Sequence, residues 1–214
     1  YLQSYEIKWM EKNMEFLRIL CKIFFSLFVR VRVIDADKMP REGGLVVAAN
    51  HESMLDMFMI GYRVPRYIKW MAKEELFKNK LIAKFITACG AYPVKRSARD
   101  VSAARTTFEM LEKGEPVGIF PQGTRSKGNG RAHKAKHGVA KFAVEADVPV
   151  QPVAIWGKIR LFGRVYVRFG DPIRLPQSTE DTKYTKEEYQ KMSQEILDTI
   201  YMLMEVPEIE NHKS

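Results

Sequence analysis

A chain of 214 residues is long enough for one substantial core and too short for two full domains, so one domain with an appendage is expected. Its composition, 46% hydrophobic and 29% charged, is that of an ordinary globular protein, and with no low-complexity tract or internal repeat, disorder is expected only at the ends. Lys and Arg number 35 against 26 Asp and Glu, and the resulting +9 favours an anionic partner: a membrane surface, a phosphorylated substrate, an acidic carrier protein or nucleic acid. The two cysteines, Cys21 and Cys89, sit in apolar helical settings without metal-ligand spacing; they read as buried thiols in a reducing compartment and imply neither metal nor cofactor.

Residues 1–28 carry the clearest periodicity. Lys8, Glu11, Lys12, Glu15, Arg18, Lys22 and Ser26 make a polar stripe, and Met10, Met14, Leu17, Cys21, Phe24 and Phe28, with Trp9, Phe16, Leu20, Ile23, Phe25 and Leu27, make a broad apolar face. The uncharged run Ile23 to Val29 falls far short of the roughly 20 residues that span a bilayer, so the segment is expected to lie on a membrane and not cross it. A wide Phe- and Met-rich face bordered by cations suits an interfacial helix at an anionic lipid surface. A first helix packed on the core has the same pattern, and both readings stand at this point. Charges interrupt the apolar segment and no small-residue cleavage site follows, which argues against a signal peptide. The chain starts at Tyr1 without a methionine, which leaves upstream residues as an open expectation.

Val29 to Ile34 reads as a strand with Arg30 and Arg32 turned outward, and Leu45 to Ala49, after Gly43 and Gly44, reads as a buried strand. Asn50-His51-Glu52-Ser53-Met54-Leu55-Asp56 follows, and Met54 to Tyr62 reads as helix. On one continuous helix, residues five apart are about 140° out of phase, so His51 and Asp56 meet only if His51 precedes the helix. Ser53 suits the N-cap, which leaves His51 on the loop and puts Asp56 in the first turn, where a carboxylate favours the helix dipole. Such a pair alone is common by chance.

Tyr67 to Ala72 is the next strand, and Leu76 to Ala88 the next helix, ending at Gly90. Gly90 to Ser97 reads as a short strand delivering Lys95 and Arg96 into a loop, either as a solvated pair or as part of a site. Asp100 can cap a helix with Val101, Ala104, Phe108 and Leu111 on one side. Pro116 to Phe120 is a strand that opens into Pro121-Gln122-Gly123-Thr124-Arg125-Ser126. Gly123 there allows close backbone approach, Thr124 and Ser126 offer hydroxyls and Arg125 a planar fork, together a phosphate subsite. The cations Lys127, Arg131, Lys134 and Lys136 that follow lack interleaved aromatics and any recognised nucleic-acid motif, so nucleic acid is not expected as a partner. A helix from about Gly138 to Ala146, a strand at Arg164 to Phe169, and a last helix opened by a Thr185 and Glu188 capping box complete the chain. The apolar side of that last helix, Tyr189, Met192, Ile196 and Leu203, reads as core packing, with partner binding as the alternative.

Four blocks, in order, resemble the glycerolipid acyltransferase family, the lysophosphatidic acid acyltransferases in particular. Asn50 to Asp56 matches its His-x4-Asp block, Tyr92 to Ser97 its glycerol-phosphate block, Phe120 to Ser126 its Phe-Pro-Glu-Gly-Thr-Arg-Ser block and Val148 to Ala154 its valine- and proline-rich strand. The resemblance covers about residues 30–175. Gln122 departs from it, standing where the family normally has Glu. The amide keeps shape and hydrogen bonding and loses charge. A natural variant, an engineered weakening or a subgroup with another acceptor would each account for it. If the family's carboxylate anchors Arg125 or neighbouring backbone, Gln122 would hold position with weaker pairing.

The resemblance implies acyl transfer from acyl-CoA or acyl carrier protein, with no other cofactor and no metal, to the hydroxyl of a lysophospholipid, chiefly lysophosphatidic acid. His51 is then the general base that Asp56 orients, since the substrate supplies the hydroxyl and no acyl-enzyme is needed. Ser53 as nucleophile is the rival, without a G-x-S-x-G elbow to support it. Arg125, with Lys95, Arg96 and Thr124, would hold the acceptor's phosphate, while Asn50, Ser53, Gln122 and Gly123 support the loops. A catalytically weakened relative that binds lipid or a partner is the other function class.

The expected architecture is an α/β domain with a mixed or largely parallel central sheet flanked by helices, functional loops at the carboxyl ends of the strands, and an N-terminal amphipathic membrane-associating helix. Its parts would be a membrane-binding segment at 1–28, the acyltransferase domain at 29–206 and a tail at 207–214, placed peripherally or monotopically on the cytoplasmic face of a membrane.

Overall fold

The computed structural model describes residues 16, 19–94, 101–126, 133–178 and 183–205. Residues 19–27 are helical (α1). Strands β1 (Arg30–Ile34) and β2 (Leu45–Ala49) follow, then helix α2 (Asp56–Gly61), β3 (Lys69–Lys73), α3 (Lys80–Ala88) and β4 (Ala91–Val94). The rest of the chain forms α4 (Val101–Glu112), β5 (Pro116–Ile119), α5 (Gly138–Glu145), β6 (Val150–Gly157), β7 (Arg164–Phe169) and α6 (Lys186–Met202).

The strands build one seven-stranded sheet in the order β1-β7-β6-β2-β5-β3-β4. Every neighbouring pair is parallel except the β6–β7 hairpin. This is the largely parallel α/β arrangement expected from alternating strands and helices. Central β2 is buried along its whole length, and its side chains alternate between two cores. Leu45, Val47 and Ala49 join Phe25 of α1 and Met59 and Ile60 of α2. Val46 and Ala48 join Leu111 of α4, Val139 and Ala143 of α5, and Ile196 and Ile200 of α6. A strand that feeds a core on each face reads as the uninterrupted apolar run seen in the sequence. The carboxyl ends of β2, β3 and β5 emerge side by side, in register through Ala48↔Ile119 and Trp70↔Gly118.

Two expected helices differ. The single helix expected from Leu76 to Ala88 is a 3-10 turn at Glu74–Phe77 followed by α3. Asn79 makes the break, because its side-chain oxygen accepts from the Leu81 and Ile82 N–H groups and so starts a new helix. Ser53 does not cap α2. Its hydroxyl accepts from the Leu55 N–H at 3.2 Å, and the helix begins at Asp56 behind Leu55. The capping box of α6 is present, with Thr185 and Glu188 each accepting from the other's backbone N–H. The apolar side of α6 packs on the sheet as expected.

In α1, Phe25 is buried while Ile19, Leu20, Ile23, Phe24 and Leu27 are exposed, so core packing accounts for only part of its apolar face. Most of the N-terminal periodic segment, Lys95 and Arg96, the Asp100 cap and the tail lie outside the described residues. Among the described residues, no helix is long and apolar enough to cross a membrane.

Candidate active site

The site is assembled where β2, β3 and β5 end. At the close of β2, Asn50 is fully buried and holds β6 with both ends of its amide: Nδ2 donates to the Ile155 carbonyl at 2.7 Å and Oδ1 accepts from the Ile155 N–H at 2.8 Å. The chain then leaves the sheet at a fixed angle, and His51 is the first residue free of the strand.

The loop from His51 to Asp56 is organised by one carboxylate. Asp56, fully buried at the first position of α2, accepts from three donors on a single oxygen. His51 Nδ1 lies 2.9 Å from Oδ2, the Glu52 N–H 2.7 Å and the Ser53 N–H 2.8 Å. The backbone therefore wraps around the carboxylate, and this wrap, not a Ser53 cap, brings residues five apart in sequence into contact. With Nδ1 donating to Asp56, Nε2 is the imidazole nitrogen left to take a proton from a bound molecule.

A column of rings supports the imidazole. His51 stacks on Phe120 with centroids 3.9 Å apart, and Phe120 stacks in turn on Trp70 of β3 at 4.9 Å. Gly118 makes room for the indole, because a Cβ there would lie 2.4 Å from the Trp70 ring. Phe120 opens a block quoted from the sequence, but its ring contacts and Trp70 were not legible there, since the contact needs β3 and β5 to pair.

The loop after β5 is tied to His51 through its backbone on both sides. The His51 N–H donates to Gln122 Oε1 at 3.0 Å, and the Ser126 N–H donates to the His51 carbonyl at 2.9 Å. Gln122 is buried, and its Nε2 donates to the Tyr201 hydroxyl of α6 at 2.8 Å. These two bonds place the Gln122 side chain on the His51 backbone and on α6, whereas pairing with Arg125 was one of the sequence expectations. Gly123 turns the loop with φ 67°, and a Cβ there would also meet the Lys136 side chain at 2.9 Å. Tyr201 left no local signal in the sequence, because only the packing of α6 brings it to this loop.

Two cavities open on His51, one on each side of Phe120. The first, about 280 Å³, is lined by His51, Met54, Met57, Leu76, Lys73, Thr124 and Arg125. It brings Thr124 and Arg125 to the histidine, as the loop pattern suggested, and adds Lys73, whose ammonium also pairs with Glu75 at 2.9 Å. Lys73 was legible as the residue ending a strand beside the site, but the expected strand stopped at Ala72. The second cavity, about 250 Å³, is mostly apolar, with Met71, Val94, Val139 and Phe142 on its walls and Lys136 beside it. Next to Lys136, burial and the neighbouring Lys186, Lys141 and Lys136 push the His137 imidazole below its ordinary value. Among the described residues, no group of three His, Cys, Asp or Glu side chains is placed to hold a metal ion.

The geometry offers a base with an oriented tautomer, cations within the same cavity and an apolar recess beside it. Comparison with known proteins agrees in kind. The acyltransferase family model matches residues 30–156, which contain every element of this site except Tyr201. The chain is 34% identical over 158 residues to the 1-acyl-sn-glycerol-3-phosphate acyltransferase of Bacillus subtilis, covering 71% of this chain and 78% of that protein. It is 31% identical over 147 residues to the enzyme of the same name from Streptococcus pneumoniae, covering 65% of this chain and about half, 54%, of that protein. The crystal structure of the 1-acyl-sn-glycerophosphate (LPA) acyltransferase of Thermotoga maritima superposes with a TM-score of 0.69 at 24% identity, covering 94% of this chain and 83% of the other, a likeness of fold. With the family's match spanning more than half of the chain and enclosing His51, Asp56 and Arg125, this protein belongs to the acyltransferase family.

Proposed function

We propose that the protein moves a fatty acyl group from a thioester donor, acyl-CoA or acyl carrier protein, to the free hydroxyl of lysophosphatidic acid, giving phosphatidic acid. One observation carries the reading: His51, held through Nδ1 by buried Asp56, faces two largely apolar cavities at once, one of which also brings Lys73, Thr124 and Arg125 to it. The names of the Bacillus and Streptococcus relatives support the choice of acceptor.

In this reading the acceptor's phosphate sits against Arg125, Thr124 and Lys73, with Lys95 and Arg96 in support, and its hydroxyl points at His51 Nε2. The hydroxyl oxygen attacks the thioester carbonyl as its proton passes to Nε2, and Asp56 stabilises the imidazolium that forms. The tetrahedral intermediate collapses to the ester and expels the thiolate, which takes the proton back from His51. No acyl-enzyme is formed. Ser53 makes a poor nucleophile here, since its hydroxyl accepts from the Leu55 N–H and its backbone serves Asp56. The cavity beside Lys136 receives the donor's acyl end, and the cations Lys136, Lys141 and Lys186 suit either the phosphates of coenzyme A or an acidic carrier protein. Residues 1–28 act as a membrane-binding segment on the 29–206 domain, which places the enzyme peripherally or monotopically on the cytoplasmic face of a membrane.

Gln122 fits a working site. The hydrogen bonds it makes to the His51 N–H and the Tyr201 hydroxyl are within the reach of an amide and need no charge. The test uses purified protein with lysophosphatidic acid in detergent and labelled acyl-CoA or acyl carrier protein in competition. Phosphatidic acid should form with the parent, and His51→Ala should lower turnover by roughly 10²- to 10⁴-fold, the usual worth of a positioned base. Unchanged turnover in His51→Ala would remove the base assignment, and acylation of other lysolipids alone would replace the acceptor.

A further inference from the structure

The side of the sheet that carries the site keeps an apolar surface which the proposed reaction does not use. Helix α3 presents Leu81, Ile82 and Phe85 to solvent, with Leu81 82% exposed. Lys78, Lys80 and Lys84 are exposed around them, and the helix itself carries no acidic residue. This surface adjoins the site. Phe85 contacts Phe58 of α2 with ring centroids 5.9 Å apart, and α2 is the helix whose first residue, Asp56, holds His51. The turn that precedes α3 supplies Leu76 to the cavity that holds Lys73 and Arg125, and Met54 on the cavity's rim is itself 58% exposed. On the other side of α2, Tyr62 contacts Phe25 of α1 at 5.3 Å, so the exposed apolar residues of α1 flank the same short helix.

We infer that the Leu81, Ile82 and Phe85 face of α3 is a membrane-docking surface that sets the mouth of the His51 cavity on an anionic bilayer. A bilayer fits it better than a protein. Three apolar side chains on a nine-residue helix offer much less than the roughly 800 Å² per partner of a stable protein interface. Protein interfaces are poor in lysine, whereas interfacial helices combine a large apolar side chain or two with bordering lysines, as here. The placement also has a use. A lysolipid held by its chain in the bilayer would meet Met54 and the Met57 and Leu76 walls before its phosphate reaches Arg125 and Lys73. This delivery step rests on the proposed reaction; docking does not.

The experiment measures the full chain on vesicles of phosphatidylcholine, with and without phosphatidylglycerol and with no acceptor present, by flotation. The double variant Leu81→Ser with Phe85→Ser should partition roughly tenfold or more weakly than the parent, the worth of withdrawing two large apolar side chains from lipid. Lys80→Glu with Lys84→Glu should weaken the preference for anionic vesicles by roughly tenfold, and added salt should erase that preference in the parent. Both variants should melt like the parent, because the substituted side chains are exposed. Turnover of a short-chain, water-soluble lysophosphatidic acid should stay at the parent rate while turnover of vesicle-borne acceptor falls with binding. Parent-like flotation of the Leu81 and Phe85 variant overturns the inference. So does a parent that self-associates in sedimentation velocity where the variant is monomeric, since a second copy would then cover α3. Lost flotation from a parent that acylates nothing would leave docking intact and remove the proposed reaction instead.

Discussion

The two faces of the sheet are covered to very different degrees. On one, α4, α5 and α6 lay Leu111, Val139, Ala143, Ile196 and Ile200 on the strands, and these side chains are almost wholly removed from water. On the other, α1, the six-residue α2 and α3 bury Phe25, Met59 and Ile60 yet leave Ile23, Leu27, Met54, Leu81 and Phe85 exposed. Both faces complete a core, but only one is closed. The difference separates two tasks that sequence periodicity writes in the same letters: apolar residues that hold a fold and apolar residues that await a surface.

The contrast can be sharpened by matched substitutions. Ile200→Ala on the closed face should cost about 2–5 kcal/mol in thermal or denaturant unfolding, as the truncation of a fully buried chain does, while Leu81→Ala on the open face should change stability by no more than about 0.5 kcal/mol. Equal losses would mean that α3 is part of the core. Within the site, Arg125→Ala should raise the KM for a phosphate-bearing acceptor roughly 10- to 100-fold with a smaller effect on kcat, the range expected for a lost charge-assisted hydrogen bond. Arg105→Ala, on the solvent side of α4 and paired with Glu109 one turn on, should leave KM unchanged; a similar rise there would make the effect one of net charge. The smallest change is expected from Gln122→Glu, because a carboxylate can accept from both the His51 N–H and the Tyr201 hydroxyl in place of the amide. Turnover within about threefold of the parent would show that shape and hydrogen bonding suffice. A gain of roughly tenfold or more would identify Gln122 as a lesion.

Much of the fold was legible because its signals are local. The apolar run at Leu45 to Ala49, the Thr185 and Glu188 box and the strand at Arg164 to Phe169 each appear where the pattern placed them. The differences came from competition between local signals: Asn79 overrode a continuous periodic stretch, and the Asp56 carboxylate gathered the His51 ring and the Glu52 and Ser53 N–H groups into a wrap, so that the helix begins only at Asp56. For the site, His51, Asp56, Thr124 and Arg125 could be named from adjacent motifs, and the structure brings them to one place. Trp70 and Tyr201 could not, nor could the stacking of Phe120 on His51, because each contact is made only through strand pairing or helix docking, which no window of sequence contains.

Both backbone groups of His51 are engaged by the loop from Phe120 to Ser126. The imidazole and the Arg125 loop are therefore joined by these two hydrogen bonds, and in the proposed reaction they would hold the span between the proton acceptor and the phosphate grip. On that reading, fitting a bulkier or smaller acceptor by parting the two loops would displace His51 as well. Any tuning for lipid size must fall to the opposite wall, where Met54 and Met57, unbranched and readily re-posed, can yield without moving either end of the gauge.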